Sequence, residues 1–471
     1  MRTLGVPGRT ATVLLVAAMG ALSPLTAEAQ GESWAPPAIS ASPPDDGGGQ
    51  SGINYTPKVQ CVSRDLNNDV KLQEKPWGQQ YLQIEQAQKL VRAATGSVGG
   101  GIKVAVIDTG VTQHPYFQFG VESGGDYVDP SKHGLEDCDG HGTEVAGIIA
   151  AKTPDDIGFK GVAPDAKIVS IRQSSQNYSL DNQSGGQDSN GSRQQGQGAG
   201  NTTTLAQAVM RAANIPVDVI NMSVDNCRPA DGKINNGEAQ LQAAIHYAVT
   251  VKNIVVVAAA GNVSNTCPQN DQADPNKPRS IVSPPWFSDD VLSVAAIDET
   301  GGVAPFSMHG PWVSVAAPGT KITSLDPSKG TDQLANQVFD GGQLQPIQGT
   351  SFAAPYVAGV AALVRAQFPK LTAHQVMDRL KATAQHPGAP GGRDNYIGYG
   401  VVNPIAALTA IVPAEEGVPA AKAKQLPSGL PPASHKNWTP MIVALAGTGG
   451  GLLVLLITLF VVHTIRRKRP A

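Results

Sequence analysis

Three polar residues stand where apolar stretches of this chain begin or end. Asp108 closes the run KVAVID, His141 lies between two glycines in DGHGTEVAG, and Ser351 precedes the small residues of GTSFAAPYVAGVAAL. Aspartate, histidine and serine in this order form one of the chain orders of the catalytic triad, in which a histidine base activates a serine nucleophile. The three residues therefore predict acyl-transfer chemistry.

Each of these residues also has a structural alternative. Asp108 could bond to the turn after its strand or, as part of Asp-Thr-Gly, pair with a second copy as in aspartic proteases. His141 could be structural, and Ser351 could be a helix N-cap. Two features favour catalysis. Glycines leave the imidazole room to reach into a cleft, and the unpaired N–H groups at a helix start stabilise negative charge beside a nucleophile.

Pro355 lies inside a segment that otherwise predicts a buried helix. If the helix begins at about Ser351, the N–H that Pro355 lacks is the one that would bond to the Ser351 carbonyl. The sequence therefore predicts a freed Ser351 carbonyl and a loosened first turn. Small residues such as Ala353 and Gly359 predict that this helix packs closely on a sheet.

Apolar strands alternate with helices over most of the chain. Strands are predicted at Ile102–Ile107, Lys167–Ile171, Val217–Asn221, Ile254–Ala258, near Val291–Ala296 and near Trp312–Ala316. Helices are predicted at Thr143–Ala151, Leu205–Ala213 and Ala239–Val251. This pattern predicts an α/β fold with a mostly parallel sheet flanked by helices. Active sites of such folds collect at the carboxyl ends of the strands, where Asp108 stands.

Five segments resemble those of subtilisin-like serine proteases. VAVIDTGV, DGHGTEVAGIIAA and GTSFAAPYVAGVAAL are similar to the three signature segments, and VINMSV and VVVAAAGN are similar to two more. The resemblance covers residues 100–410 and implies a subtilisin-like fold. It also implies that Asp108 orients His141, that His141 takes the proton of Ser351, and that Asn262 supplies an oxyanion-hole amide. The alternative for Asn262 is a turn residue.

The same resemblance implies a substrate cleft, along whose edges an extended peptide adds as a strand. Four residues are expected at these edges: Ser223, Val224, Asp225 and Gly261. Asp225 stands where the family commonly has glycine, so it either narrows the cleft or favours a basic group in the substrate; a solvent-facing loop aspartate is the alternative. Phe352 and Tyr356 replace a common methionine and histidine.

The two ends of the chain predict export and anchoring. Residues 1–29 have the charged start, short apolar stretch and small-residue cleavage pattern of a secretory signal peptide, with a buried helix as the alternative. Residues 441–463 are long and apolar enough to cross a bilayer, and the basic tail 464–471 is expected to stay in the cytoplasm; a buried core helix is the alternative. Between them we expect a Pro-rich N-terminal extension at 30–100, a peptidase domain at 101–410 with an exposed polar insertion at 174–204, and a linker at 411–440.

An even number of cysteines in an exported chain predicts disulfides and leaves three pairings open among Cys61, Cys138, Cys227 and Cys267. The signal peptide, extension, insertion and C-terminal anchor together resemble the mycosins, the membrane-anchored subtilisin-like proteases associated with mycobacterial type VII secretion. That resemblance implies an extension wrapped around the catalytic domain. It also implies that Cys61 pairs with Cys138 and Cys227 with Cys267. No clustered acidic loop or close cysteine pair indicates a metal site, so no metal or other cofactor is expected.

Charged residues make up 15% of the chain and the formal net charge is -3, so nothing indicates a nucleic-acid partner. The sequence predicts a serine endopeptidase anchored in the cytoplasmic membrane, with its catalytic domain on the extracytoplasmic side. Its expected partners are protein or peptide substrates and the type VII secretion membrane complex. The alternative function is a structural subunit that stabilises this complex, with proteolysis secondary.

Overall fold

The computed structural model describes residues 34–62, 64–66, 72–180, 198–230, 233–272, 274, 277–340, 343–417 and 439–467. The chain divides into two compact units, Met1–Glu416 and Gly417–Ala471. The predicted signal peptide lies outside the described residues.

The elements of the described residues follow in chain order. The strands are β1 Tyr55–Pro57, β2 Arg64–Asp65, β3 Lys103–Asp108, β4 Val121–Asp126, β5 Lys167–Arg172, β6 Tyr178–Leu180, β7 Val219–Met222, β8 Asn226–Pro229, β9 Val255–Ala259, β10 Ser280–Ser283, β11 Leu292–Ile297, β12 Val315–Pro318, β13 Ser324–Leu325, β14 Leu334–Ala335, β15 Gln337–Asp340 and β16 Gln343–Pro346. The helices are α1 Trp77–Tyr81, α2 Ile84–Thr95, α3 His141–Ala150, α4 Thr202–Asn214, α5 Asn236–Thr250, α6 Thr350–Gln367, α7 Ala373–Ala382, α8 Pro404–Thr409 and α9 Thr439–Arg467.

The first unit is built around a seven-stranded parallel sheet, whose strand order is β12-β11-β9-β7-β3-β5-β4. All residues of β7, β9 and β11 are buried. Successive side chains of a strand point to opposite faces, so helices and loops must cover both faces of the sheet. The chain leaves β3 toward β5 and β4 on one side and reaches β7 on the other. The crevice beyond the carboxyl ends of β3 and β7 is therefore the switch point at which such sheets bind ligands. The predicted fold class is confirmed.

Helix α6 is almost entirely buried in this unit. Every residue from Thr350 to Arg365 is buried, and the helix packs against α3 and the central strands. Its small residues make this approach possible: an added Cβ on Gly359 would lie 2.5 Å from Cβ of Val162. The helix begins at Thr350, one residue before the predicted start.

The N-terminal segment contacts the domain at widely separated points. The carbonyl of Trp34 accepts a hydrogen bond from Trp286, and Tyr127 donates to the carbonyl of Asp46. Strand β1 pairs with β6, and β2 joins β15 and β16 in a small sheet. Helix α2 buries Ile84 and Val91 in the main core, so the later part of the predicted extension is integral to the domain.

The ends of the predicted polar insertion at 174–204 are ordered parts of the domain. Ser175 is buried and donates to Asp139 (2.5 Å), Asn177 is buried and donates to the carbonyl of Gln60 (2.7 Å), and β6 follows. Thr204 already belongs to α4. Polar composition predicted exposure here, but the polar groups are buried because hydrogen bonds to other segments satisfy them. Residues 181–197 lie outside the described residues.

The predicted linker also begins later than expected. Arg379 of α7 donates to the carboxylate of Glu415 in a pair whose side chains are 4% and 13% exposed, which holds the segment near residue 415 on the first unit. In the second unit, α9 is long and apolar enough to cross a membrane. At about 1.5 Å per residue, the length of this 29-residue helix exceeds the roughly 30 Å thickness of a hydrocarbon core.

Candidate active site

A hydrogen bond joins the first two predicted catalytic residues. Asp108 is the last residue of β3 and is fully buried, and His141 is the first residue of α3. The distance from His141 Nδ1 to Asp108 Oδ1 is 2.7 Å. The bond directs the other ring nitrogen, Nε2, away from Asp108 and keeps it available as a base.

The buried carboxylate of Asp137 holds the loop that presents His141. One oxygen accepts from the Thr109 hydroxyl and the Gly140 N–H, both at 2.8 Å. The other accepts from the Thr143 N–H and hydroxyl, both at 2.7 Å. Thr109 follows Asp108 in sequence, so this network ties the end of β3 to the start of α3.

The N-terminal segment is attached to the same loop. A disulfide joins Cys61 to Cys138, the pairing that the resemblance implies, and the Val62 N–H donates to the Cys138 carbonyl (2.8 Å). Arg64 Nε donates to Glu144 Oε1 of α3 (2.5 Å), and Arg64 Nη2 donates to the carbonyl of Asp139 (2.7 Å). A second disulfide joins Cys227 to Cys267.

Electrostatics favour the protonated imidazole. Burial lowers the pKa of His141, but the charge and hydrogen bond of Asp108, aided by Glu144 and Asp137, outweigh it and raise the pKa to about 9. The ring of Phe352 lies 5.0 Å from that of His141, centroid to centroid, and shields it on the α6 side.

Ser351 is the second residue of α6 and is 8% exposed. Its carbonyl has lost the usual helical donor because residue 355 is proline. The hydroxyl of Ser223, which follows β7, donates to this carbonyl instead, at 2.7 Å. The predicted free carbonyl is therefore paired across the cleft, and the Ser223 hydroxyl faces α6.

Asn262 is also tied to the start of α6. Its Oδ1 accepts from the Thr350 N–H (3.0 Å) and the Thr350 hydroxyl (3.2 Å), and the Thr350 hydroxyl accepts from the Gly261 N–H (3.2 Å). With the amide oxygen held, the amide NH₂ of this exposed residue is the group that can donate to a ligand beside Ser351.

The other predicted cleft residues lie close together. Val224 and Asp225 follow Ser223, and an added Cβ on Gly261 would lie 3.4 Å from Oδ2 of Asp225. Asp225 is accessible to solvent, yet the surrounding walls raise its carboxyl pKa to about 6 by desolvation, against an opposing attraction from His141.

Known proteins share this sequence and architecture. The Subtilase family profile matches residues 99–400. Mycosin-1 of Mycolicibacterium smegmatis is 40% identical over 427 residues, which cover 88% of this chain and 91% of the relative. The chain belongs to the mycosins, within the subtilase family. It is a subtilisin-like serine endopeptidase, as the sequence predicts.

Two solved structures extend the comparison of this mycosin. One, described as a serine protease MycP1 that is an essential component of the type VII (ESX-1) secretion system, is 41% identical, covers 79% of this chain and 99% of its own, and gives a TM-score of 0.72. A chain of an intact ESX-5 inner membrane complex is 38% identical, covers 91% of this chain and all of its own (100%), and gives a TM-score of 0.73.

Sequence reasoning missed the residues that position this site. Asp137, Arg64, Glu144 and Thr350 act through contacts between distant segments, and Ser223 was expected at the cleft edge without its bond to Ser351. The acidic run DCDGHGTE before and within α3 is a signal for Asp137, because buried carboxylates beside a helix start usually bind backbone N–H groups.

The pairing of Ser223 with the carbonyl of Ser351 predicts that substitutions of Ser223 and Pro355 have non-additive effects on the free energy of unfolding. Ser223→Ala should lower the free energy of unfolding by about 1–3 kcal/mol, because a buried carbonyl loses its donor. Pro355→Ala adds an N–H at the position that bonds to this carbonyl, so it should recover part of the loss in the Ser223→Ala protein. Chemical unfolding of the four proteins of this cycle measures the coupling, with Ser328→Ala, an exposed serine, as control. Strictly additive effects would show that the proline and the serine do not share the carbonyl.

Proposed function

We propose that this mycosin hydrolyses peptide bonds with Ser351 as nucleophile, His141 as general base and Asp108 as the residue that orients the imidazole. The observation that carries the proposal is the 2.7 Å bond between Asp108 and His141, at the carboxyl end of a central strand and beside the helix whose second residue is Ser351. The order of Asp108, His141 and Ser351 along the chain is that of one known form of the triad.

The proposed reaction has two stages. In the first, Ser351 Oγ attacks the scissile carbonyl while His141 Nε2 takes the hydroxyl proton. The imidazolium is stabilised by Asp108 and then protonates the departing amine as the C–N bond breaks. In the second, water attacks the acyl-enzyme with His141 again as base, and the carboxylic acid leaves as Ser351 recovers its proton.

Asn262 is the proposed oxyanion donor, together with the backbone N–H of Ser351. The arrangement that supports this role is the fixed amide oxygen, which leaves the NH₂ for the negative charge that develops on the carbonyl oxygen. Loss of one such donor lowers turnover by about 10² to 10³ in related chemistry.

We assign the acyl side of the substrate to Ser223, Val224, Asp225 and Gly261. The close approach of Asp225 to Gly261 supports a narrowed cleft, and its carboxylate would favour a basic group in the substrate. For Ser223 this assignment concerns the backbone, because its hydroxyl is bonded to Ser351.

We further propose that the catalytic unit lies outside the cytoplasmic membrane and serves a type VII secretion system. The predicted signal peptide, the two disulfides, the apolar α9 and the basic residues after it support this orientation. The similarity to chains described as parts of ESX systems supports an association with the secretion membrane complex.

A structural role in that complex is the second candidate function. It is favoured by the similarity to a chain of an intact ESX-5 inner membrane complex, because that match extends over 91% of this chain. The intact set of Asp108, His141, Ser351 and Asn262 argues against a purely structural subunit, so the two roles are proposed to coexist.

Labelling with a fluorophosphonate probe tests the enzymatic proposal. Attack by Ser351 on phosphorus expels fluoride and leaves a stable adduct, which mass spectrometry should locate on the peptide that contains Ser351. The adduct should be absent in Ser351→Ala and retained in Ser328→Ala, which removes an exposed serine outside the proposed triad. A wild-type protein that carries no adduct on Ser351 would contradict the proposal.

Complementation separates the two candidate roles. In a strain that lacks this gene, Ser351→Ala protein should restore secretion by the type VII system if the subunit stabilises the complex independently of proteolysis. Loss of secretion with Ser351→Ala protein at wild-type abundance in the membrane would show that the structural role does not suffice.

A further inference from the structure

A cavity of about 690 Å³ opens beside His141, on the side of α3 that faces the N-terminal segment. His141, Glu144 and Phe352 line it from α3 and α6. Arg64, Val338 and Gln345 line it from the small sheet of β2, β15 and β16. Its volume is several times that of one large side chain, so it has room for more than one residue of a bound peptide.

The pairing of the small sheet explains how this wall is built. Arg64 is directly opposite Val338, and Val338 is directly opposite Gln345, in antiparallel registers. Residues directly opposite one another in an antiparallel pair point to the same face of the sheet. The three side chains therefore form one row across the face that looks into the cavity. The strand that carries Arg64 precedes residue 99, where the match to the Subtilase family begins.

The position of the cavity relative to the reacting bond follows from its lining. The described residues that line it do not include Ser223–Asp225, Gly261 or Asn262, which flank the proposed acyl side and oxyanion site. They do include His141, which must protonate the departing amine. The cavity therefore lies on the leaving-group side of the scissile bond.

We propose that this cavity binds the substrate residues that follow the scissile bond and selects uncharged, hydrogen-bonding side chains there. The inference rests on the proposed function, because it needs Ser351 and His141 to act on a peptide bond. It adds a binding role for the N-terminal segment, whose strand β2 supplies part of the wall.

The charge of the lining determines the chemical class. Arg64 and Glu144 are paired at 2.5 Å with side-chain exposures of 6% and 1%, and the Asp139 carbonyl accepts a further hydrogen bond from the guanidinium. The pair neutralises itself, so a single charged substrate group would enter without a dedicated partner, which is costly away from water.

Three accessible polar groups of the cavity are primary amides. Gln343, Gln345 and Gln348 all line it and are all exposed. Each amide both donates and accepts, so together they match amide or hydroxyl side chains of a substrate and its backbone. Val338, Ile347 and Phe352 supply apolar contact around them.

Two substrates with the same four acyl-side residues test whether the cavity lies on the leaving-group side of the scissile bond. One is a p-nitroanilide, which has no amino acid after the scissile bond. The other is an internally quenched peptide with three residues after it. Gln345→Ala, and more strongly Gln343→Ala/Gln345→Ala, should lower the ratio of peptide kcat/KM to anilide kcat/KM by about three- to tenfold, the effect of one or two lost hydrogen bonds.

The matched control is Gln86→Ala, which removes an exposed glutamine from α2 and should leave the ratio unchanged. An unchanged ratio in the two cavity variants, or an equal loss on both substrates, would overturn the inference while leaving the proposed function intact. Failure of the wild-type protein to hydrolyse either substrate would overturn the proposed function, and this inference with it.

The same quenched peptides test the chemical class. Each of the three positions after the scissile bond is varied as Gln, Leu, Asp or Lys, and Gln should be preferred at one or more of them. The preference should weaken in Gln343→Ala/Gln345→Ala. Fastest cleavage with Asp would show that Arg64 acts as a free charge in the cavity. Fastest cleavage with Leu would show that the apolar contacts of the cavity determine the preference. Either result would overturn the proposed selection of uncharged, hydrogen-bonding side chains.

Discussion

The hydrogen bond between Asp108 and His141 is the interaction on which the rest of the site depends. It fixes the ring orientation of His141, the proposed base, but it joins two elements that are distant in sequence. The bond forms only if the end of β3 and the start of α3 are held in register. Asp137 does this from within, through its bonds to Thr109 and Thr143, and the N-terminal segment does it from outside through Cys61 and Arg64.

The start of α6 brings the remaining functional groups to the same place. Thr350 fixes the amide of Asn262, Ser351 presents its hydroxyl, and Phe352 covers the imidazole. Pro355 releases the carbonyl of Ser351, and Ser223 binds it, so the first turn is tied to β7 rather than to its own helix. Thr350, Ser351 and Phe352 thus connect both walls of the cleft to the start of α6. The tight packing of the small residues of α6 sets the position of this helix end.

Part of this arrangement was predictable from the sequence because it is local. The motifs locate Asp108, His141 and Ser351, and apolar periodicity predicts the central strands and helices to within a few residues. Element ends shift where a glycine or a side-chain cap decides them: Gly140, at φ 80°, lets α3 begin at His141, and Asn201 caps α4 at Thr202.

The remaining features depend on contacts between distant segments. No local pattern shows that Arg64 meets Glu144, or that the hydroxyl of Ser223 points at Ser351. Polarity was misleading at Ser175 and Asn177, where hydrogen bonds to Asp139 and Gln60 allow burial. A single sequence shows which residues are present but not which of them lie close together in the fold. Buried polar networks between distant segments are therefore the hardest feature to predict from it.

The central claim is that Asp108 activates Ser351 through His141, and the pH dependence of fluorophosphonate labelling tests it most directly. Only the neutral imidazole accepts a proton, so the wild-type labelling rate should rise with pH to half its maximum near pH 9, the pKa of His141. In Asp108→Asn the stabilising charge is lost while burial remains. The rate should therefore fall by about 10⁴ and its midpoint should move toward or below the ordinary imidazole value of 6.5. The same midpoint in both proteins would contradict the claim.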